Sequence, residues 1–188
     1  DARVRVAGEG KGGEARSGAD GVLVLRGRAL PVDLEIEAFG FRGTAIAGVD
    51  RDRDVVLRNG VPVRITCSMP AHGAEPRYDL GLRFSSIGAT GQRGALLWPD
   101  STPLDRLYFD AQGELRLHLP GPGRYALSVF VFVAGKDNVG RGGDLSLDPP
   151  PSIDVIESTV TQEFRVEIPQ DQLDEMLRRL GGTTKESP

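Results

Sequence analysis

The clearest strand pattern in this sequence is Val32-Asp33-Leu34-Glu35-Ile36-Glu37-Ala38, in which apolar and acidic residues alternate. Successive side chains of a β-strand point to opposite faces of a sheet, so the alternation predicts a strand with one buried and one solvated face. The same pattern recurs at 3–6, 78–84 and 163–168. Turn-forming clusters of Gly, Pro, Asp and Ser separate such runs about every 8 to 15 residues, which is typical of a β-sandwich. We therefore expect an all-β fold.

Two segments of the chain repeat one arrangement, which indicates two related β-sandwiches. In each segment, a glycine-containing turn is followed by a strand, a loop with Gly or Pro, and a second strand. The first copy uses Gly21, 22–25 and 32–36, and the second uses Gly113, 114–117 and 125–129. Glycine suits both turns because it accepts a positive φ without steric cost.

The predicted boundary between the two sandwiches lies near Asn59-Gly60. It gives a first domain at 1–59, a second domain at 60–182 and a flexible tail at 183–188. An alternative is that Asn59-Gly60 forms a tight hairpin turn, which would make the chain one continuous sandwich. Pro62 disfavours the hairpin, because a proline beside the turn removes a ladder donor and is tolerated mainly on a sheet edge. So short a junction also predicts that the two domains touch.

One helix is predicted, at 171–180, where Leu173, Met176, Leu177 and Leu180 form an apolar stripe. Asp171 suits its N-terminus, and Gly181 can close its last turn. A helix of this length is unstable alone, so the stripe must dock on another surface. That surface is either the chain's own sandwich or a neighbouring chain or domain, in which case the stripe is a partner interface.

Composition excludes several classes of function. The chain has 188 residues, 39% of them hydrophobic, and a net charge of −4 with basic and acidic residues interspersed. Nucleic-acid binding requires a clustered positive surface, so we expect no nucleic-acid partner. The longest apolar run, 129–134, has the length of a strand and not of a membrane span.

The sequence predicts neither an enzyme nor a metal or cofactor site. Cys67 is the only cysteine, and the two histidines, His72 and His118, lie 46 positions apart, so a cluster of metal ligands is not indicated. The glycine-rich run 8–13 lacks the Ser or Thr of a phosphate-binding P-loop. No serine lies in a G-x-S-x-G motif.

The best candidate for a ligand site combines Trp98, Asp100 and Tyr108. Aromatic rings beside a polar loop are suited to stacking on sugar rings, and a carboxylate can accept hydrogen bonds from sugar hydroxyls. This pattern predicts a polysaccharide as a ligand. The competing interpretation is that Trp98 is a core residue.

The runs Ala2–Val6, Ser17–Leu25, Leu34–Phe41 and Asp54–Leu57 resemble the carboxypeptidase regulatory-like domain family. The resemblance covers about residues 2–58 and rests on an A-x-V-x-V strand, a D-G turn, an A-x-G-[YF] ending and a final apolar strand. It implies an Ig-like or transthyretin-like (prealbumin-like) β-sandwich and, loosely, an extracytoplasmic location in bacteria.

The family's first strand has no counterpart before Asp1, so either the sequence is cut from a longer chain or the first sandwich has an open sheet edge that accepts a partner's strand. Together these features predict a non-catalytic, extracytoplasmic module with a structural or protein-interaction role in a larger bacterial protein or assembly. The alternative is a carbohydrate-binding accessory module.

Overall fold

The computed structural model describes residues 2–7, 14–18, 20–25, 29–68, 72–74, 77–88, 90–91, 93–96, 107–133 and 141–181. The described residues form thirteen β-strands followed by one helix, α1 (Gln170–Gly181). The predicted all-β class with a C-terminal helix is therefore confirmed. The strands are β1 (Ala2–Val6), β2 (Glu14–Arg16), β3 (Val32–Ala38), β4 (Thr44–Val49), β5 (Val61–Cys67), β6 (His72–Ala74), β7 (Arg77–Ile87), β8 (Arg93–Leu96), β9 (Glu114–Leu119), β10 (Gly123–Val133), β11 (Arg141–Leu145), β12 (Ser152–Val155) and β13 (Gln162–Val166). None of the described residues forms a helix with the length and hydropathy that crossing a membrane requires.

The strands form three sheets. The first sheet has the order β2-β1-β3-β4 and is antiparallel throughout. A three-stranded sheet has the order β13-β5-β9, with β13 parallel to β5. A six-stranded sheet has the path β11-β10-β7-β6, to which β12 adds beside β10 and β8 adds beside β7. Alternation placed the faces correctly: in β3, Leu34 and Ile36 are buried, whereas Asp33, Glu35 and Glu37 are exposed.

Buried apolar side chains fall into two clusters. The larger cluster, called here the main core, joins side chains of the three-stranded sheet, such as Ile65, to side chains of the six-stranded sheet, such as Leu80 and Val129. These two sheets therefore pack face to face. The smaller cluster lies on the first sheet and centres on Val4 and Leu34. The division of the chain into domains at 1–59 and 60–182 stays a prediction.

The small cluster is not enclosed by a second sheet, because the strands predicted at 22–25 and 54–57 are absent from the described structure. The alternation in the first segment is nevertheless real. Leu23 and Leu25 pack on the small cluster, whereas Val22 and Val24 are 59% and 64% exposed. Alternation reports which side chains face a core, but it does not require the backbone to pair with a neighbouring strand. Irregular segments therefore cover this face where the sequence predicted strands.

The alternative hairpin at Asn59-Gly60 does not form, because 52–58 is not a strand and Asn59 bridges to Phe41 instead. Pro62 follows in β5, which is the central strand of its sheet and not an edge. Proline is tolerated there because β13 begins to pair with β5 only at Val63. The missing N–H of Pro62 therefore costs no hydrogen bond to that neighbour.

The turn after β3 connects the first sheet to the main core. Phe39, in this turn, packs against the main core, and the Gly60 amide donates to the Gly40 carbonyl oxygen at 2.9 Å. The Arg42 amide donates to the Arg58 carbonyl oxygen at 2.8 Å. Gly60 is required at this point, because a Cβ there would overlap the backbone of Leu119.

The helix α1 docks on the chain's own sheets. Leu173 and Met176 belong to the main core, and Leu177 and Leu180 pack against it partly buried. Gly143 of β11 provides the space, because a Cβ there would overlap the Met176 side chain. Of the two predicted docking surfaces for the stripe, the structure thus shows the chain's own sandwich, and the partner interface stays a prediction.

Candidate functional site

The predicted sugar-binding residues are only partly within the described structure. Trp98 and Asp100 lie outside the described residues, and Tyr108 lies within them. Tyr108 follows Leu107, whose carbonyl oxygen accepts from the Leu82 amide at 3.0 Å, and bridges to Gly81 of β7. The segment 107–109 therefore pairs with the middle of β7, between the places where β6 and β8 pair with it.

The Tyr108 ring packs in a cluster of side chains on the outer face of the six-stranded sheet. It meets the Phe130 ring edge to face, with centroids 5.1 Å apart and planes at 63°. The Arg83 guanidinium lies 5.1 Å from the Phe130 centroid and pairs with Asp144 at 3.0 Å. Phe130 is consequently only 6% exposed on a face that would otherwise meet solvent. Burial raises the pKa of Tyr108, the nearby Asp79 raises it further, and Arg83 opposes them.

This arrangement explains why both faces of 129–133 are apolar. Val129, Val131 and Val133 belong to the main core, while Phe130 is buried beneath Tyr108 and Arg83 on the opposite face. Tyr108 is therefore half-buried through a structural contact, which reduces the ring surface available for sugar stacking. The predicted platform of Trp98, Asp100 and Tyr108 stays a prediction.

A second feature, missed at the sequence level, is a groove of about 470 Å³ along β9. Its lining comprises Phe39, Gly40, Phe41, Asn59, Tyr108, Asp110, Leu115, Leu117, and the three outward-facing residues Glu114, Arg116 and His118. Five consecutive residues of β9, 114–118, line the groove, although their side chains point alternately to the main core and to solvent. A groove that contacts both the core-facing and the solvent-facing residues must run along the edge of the strand, where the backbone is exposed.

The β9 edge that faces this groove is the unpaired one in the described structure, because β9 ends the order β13-β5-β9. The Cys67 amide donates to the Gly113 carbonyl oxygen at 3.1 Å, so this opposed pair is hydrogen-bonded. In an antiparallel ladder every second pair is hydrogen-bonded, so the backbone amides and carbonyl oxygens of Leu115 and Leu117 point toward β5. Pro62, which has no N–H, fits this register because it lies opposite His118, at a pair without ladder bonds.

The remaining residues of β9, Glu114, Arg116 and His118, therefore direct their backbone groups toward the groove. Those of Glu114 are already paired, because its carbonyl oxygen accepts from the Asp110 amide at 2.8 Å and its amide donates to Asp110 Oδ1 at 2.9 Å. For Arg116 and His118, no backbone partner is found among the described residues. Two amides and two carbonyl oxygens thus remain available along the groove.

Apolar and charged side chains lie on opposite sides of this edge. Phe39 packs against the main core at the inner side, and Phe41 is 37% exposed. On the outer side, the Arg116 side chain is 71% exposed and pairs with Glu114 at 2.9 Å. Glu114 also pairs with Arg64, so one carboxylate is shared by two guanidinium groups.

A larger cavity, of about 1090 Å³, lies beside the small cluster of the first sheet. It is bounded by apolar side chains of the sheet, including Val4 and Ile36, and by the irregular segments 20–25 and 51–55. Its lining also includes Arg51, Asp52, Arg53 and Asp54, whose charges alternate.

The described residues contain no group of three or more His, Cys, Asp or Glu side chains arranged to hold a metal ion. His118 is exposed on the outer face of β9. Cys67 is half-buried against the main core.

The comparisons with known proteins add no relative: no protein-family model, curated protein or solved structure matches this chain. The resemblance of 2–58 to the carboxypeptidase regulatory-like domain therefore stays a prediction.

Proposed function

We propose that this chain is a non-catalytic β-sandwich module that serves a structural or protein-interaction role within a larger extracytoplasmic bacterial protein or assembly. The observation that carries the proposal is a sheet edge of the described structure that lacks charged residues and proline, although its pairing with β3 is irregular between Val32 and Leu34. β4 ends the first sheet, and its sequence, Thr44-Ala45-Ile46-Ala47-Gly48-Val49, contains no charged residue and no proline. Sheet edges in monomeric proteins commonly carry such residues to prevent pairing with another chain.

Exposed apolar side chains in the same part of the chain support the same function. Of seven large hydrophobic residues exposed in the described structure, five precede residue 60: Val22, Val24, Leu30, Phe41 and Val56. Single exposed apolar residues are ordinary, but their concentration in the segment that contains the uncharged strand β4 favours a protein-binding surface. The resemblance of 2–58 to a family of accessory modules points to the same role and supports the extracytoplasmic location.

Light scattering coupled to size exclusion, over a range of concentrations, tests this proposal. A second copy of the chain is the simplest strand donor, so we expect association that grows with concentration. Ala47→Lys places a charge on the exposed side of β4 and should abolish the association, while Ala111→Lys, in an exposed turn, should leave it intact. Hydrogen exchange should show β4 amides that become protected as the assembly forms. A monomer at every concentration with protected β4 amides would refute the proposal, because the edge would then be covered by the chain itself.

Carbohydrate binding is the second candidate. One observation favours it: Tyr108 lines the β9 groove together with Asn59 and His118, so an aromatic residue and polar side chains share one depression. Trp98 and Asp100 complete the predicted site. A titration with soluble polysaccharides, followed by calorimetry, tests this candidate, and loss of binding in Tyr108→Ala but not in Tyr125→Phe would support it.

A further inference from the structure

We propose that the free edge of β9 binds an extended peptide segment of a partner protein, which adds as a fourth strand to the three-stranded sheet. This inference rests on the proposed protein-interaction function and assigns it to a surface other than β4. Main-chain hydrogen bonds give such complexes their affinity, and alternate side chains of the peptide give them specificity.

The backbone of β9 provides the hydrogen-bonding groups. Arg116 and His118 each direct one amide and one carbonyl oxygen into the groove, and residues two apart in a strand are separated by about 7 Å. An added strand presents its own amides and carbonyl oxygens at the same interval. Four main-chain hydrogen bonds can therefore form without any rearrangement of the sheet.

The extent of this edge limits the length of the peptide. At one end, Asp110 already pairs with both backbone groups of Glu114. At the other end, β9 itself stops at Leu119, which is paired with Val61 of β5. The open part thus spans 115–118, which suits a short segment and disfavours the unlimited strand addition that produces fibres.

Side chains around the edge select the residues of the peptide. On the inner side, the groove presents Phe39, Leu115 and Leu117, which favour apolar residues. On the outer side it presents Arg116, whose partner Glu114 is shared with Arg64, and His118. Opposite charges across neighbouring strands are favourable. The ligand is therefore an extended segment in which apolar and acidic residues alternate.

A labelled peptide of sequence Val-Asp-Leu-Glu-Ile-Glu-Ala is a suitable probe, because it has this alternation. A control peptide of the same composition, with apolar and acidic residues grouped, loses the match to the two sides of the groove. We expect the alternating peptide to bind the full chain at least tenfold more tightly than the control in fluorescence anisotropy. Amide hydrogen exchange measured by NMR should show new protection at Arg116 and His118, whereas Leu115 and Leu117, which already bond to β5, should not change.

Two variants at one position separate backbone from side-chain effects. Arg116→Ala removes the charge and should weaken binding a few fold. Arg116→Pro also removes the groove-facing amide, and should weaken binding at least a further tenfold, although it breaks no bond to β5. An N-methylated copy of the peptide gives the same test without any change to the protein, and retains the test if Arg116→Pro does not fold.

The outcomes distinguish this inference from the function on which it rests. New protection confined to Arg116 and His118, together with loss of binding in Arg116→Pro, supports the assignment. Protection at Thr44–Val49 instead, with equal binding by Arg116→Pro and Arg116→Ala, overturns the assignment to β9 but leaves the proposed function standing. Absence of binding at millimolar peptide, together with a concentration-independent monomer whose β4 amides are protected, overturns both.

Discussion

Replacing Gly81 with alanine should disturb the cluster that covers the outer face of β10. A Cβ at Gly81 would lie 2.5 Å from Phe130 Cε1, 2.6 Å from Phe130 Cζ and 3.0 Å from the Leu107 carbonyl oxygen. Carbon atoms in contact are normally about 3.5–4.0 Å apart, so the ring must move by about 1 Å. It cannot move freely, because Tyr108 and Arg83 pack on it.

Overpacking of this kind typically costs about 1–3 kcal/mol. For a chain of this size, that cost corresponds to a fall in Tm of about 3 to 9 °C, measured by calorimetry or circular dichroism. Gly142→Ala is the matched control, because its Cβ would make only ordinary contacts. It would lie 3.4 Å from the Val131 carbonyl oxygen and 3.6 Å from Cδ2 of Phe132. A surface change of that kind should alter stability by less than about 0.5 kcal/mol.

A second substitution identifies the clashing atoms. Phe130→Leu removes Cε1 and Cζ, so the cost of Gly81→Ala should be smaller in the Phe130→Leu background, with a favourable coupling of about 1 kcal/mol. Rescue should be partial, because the Leu107 carbonyl oxygen remains close. If Gly81→Ala and Gly142→Ala melt at the same temperature, the Phe130 ring does not lie against Gly81 and the described cluster is wrong.

Three further outcomes are expected. Leu173→Ala, at a side chain 1% exposed, should lower the free energy of unfolding by about 2–5 kcal/mol in denaturant titrations, whereas Arg178→Ala on the exposed side of α1 should change it by less than about 0.5 kcal/mol. Burial raises the pKa of all three tyrosines, so as pH rises they ionise in the unfolded chain before they ionise in the folded chain. The free energy of unfolding should therefore be constant below the unfolded pKa of about 10 and fall as pH rises above it. A denaturant midpoint that stays constant to pH 11 would contradict this. The emission of Trp98, the only tryptophan, should not shift when soluble polysaccharides are added, whereas a saturable shift would favour carbohydrate binding.

The sequence predicted the strands and the helix because their side-chain patterns are local. Alternation in Val32–Ala38 and the apolar stripe of α1 each depend on one element and its two faces, and both were confirmed. The glycine turns were also predictable: Gly21 and Gly113 adopt φ of 78° and 74°. These positive values are sterically costly for other residues, so glycine marks them.

Pairing between distant elements was not predictable in the same way. The segments 22–25 and 54–57 have the composition of strands, but whether an extended segment acquires a ladder partner depends on the rest of the fold. Proline is tolerated mainly on a sheet edge, but Pro62 lies in a central strand whose parallel neighbour begins one residue later. That neighbour is about 100 residues away in sequence, beyond the reach of any local rule.

The candidate site shows the same limit. His118 lies on the outer face of β9, but the face that a side chain occupies does not reveal which edge of its strand is left unpaired. The groove became visible only when the register between β5 and β9 showed where the backbone groups of Arg116 and His118 point. Pro62 is one local clue, because a residue without an N–H indicates which pairs of the ladder between β5 and β9 are not hydrogen-bonded. It becomes informative once the partner strand is known.

The parallel pairing of β5 with β13 determines when this protein can fold. Arg64 and Glu163, which pair at 3.0 Å, are 99 residues apart, and β5 receives its second neighbour from β13, the last of the described strands. During synthesis, Ile65 and its neighbours must therefore wait for about 100 further residues before their sheet is complete. Contacts of such long range slow folding. Nascent chains that have not reached Val166 expose an apolar strand edge, and this interval is when a chaperone or a premature partner would compete for β5.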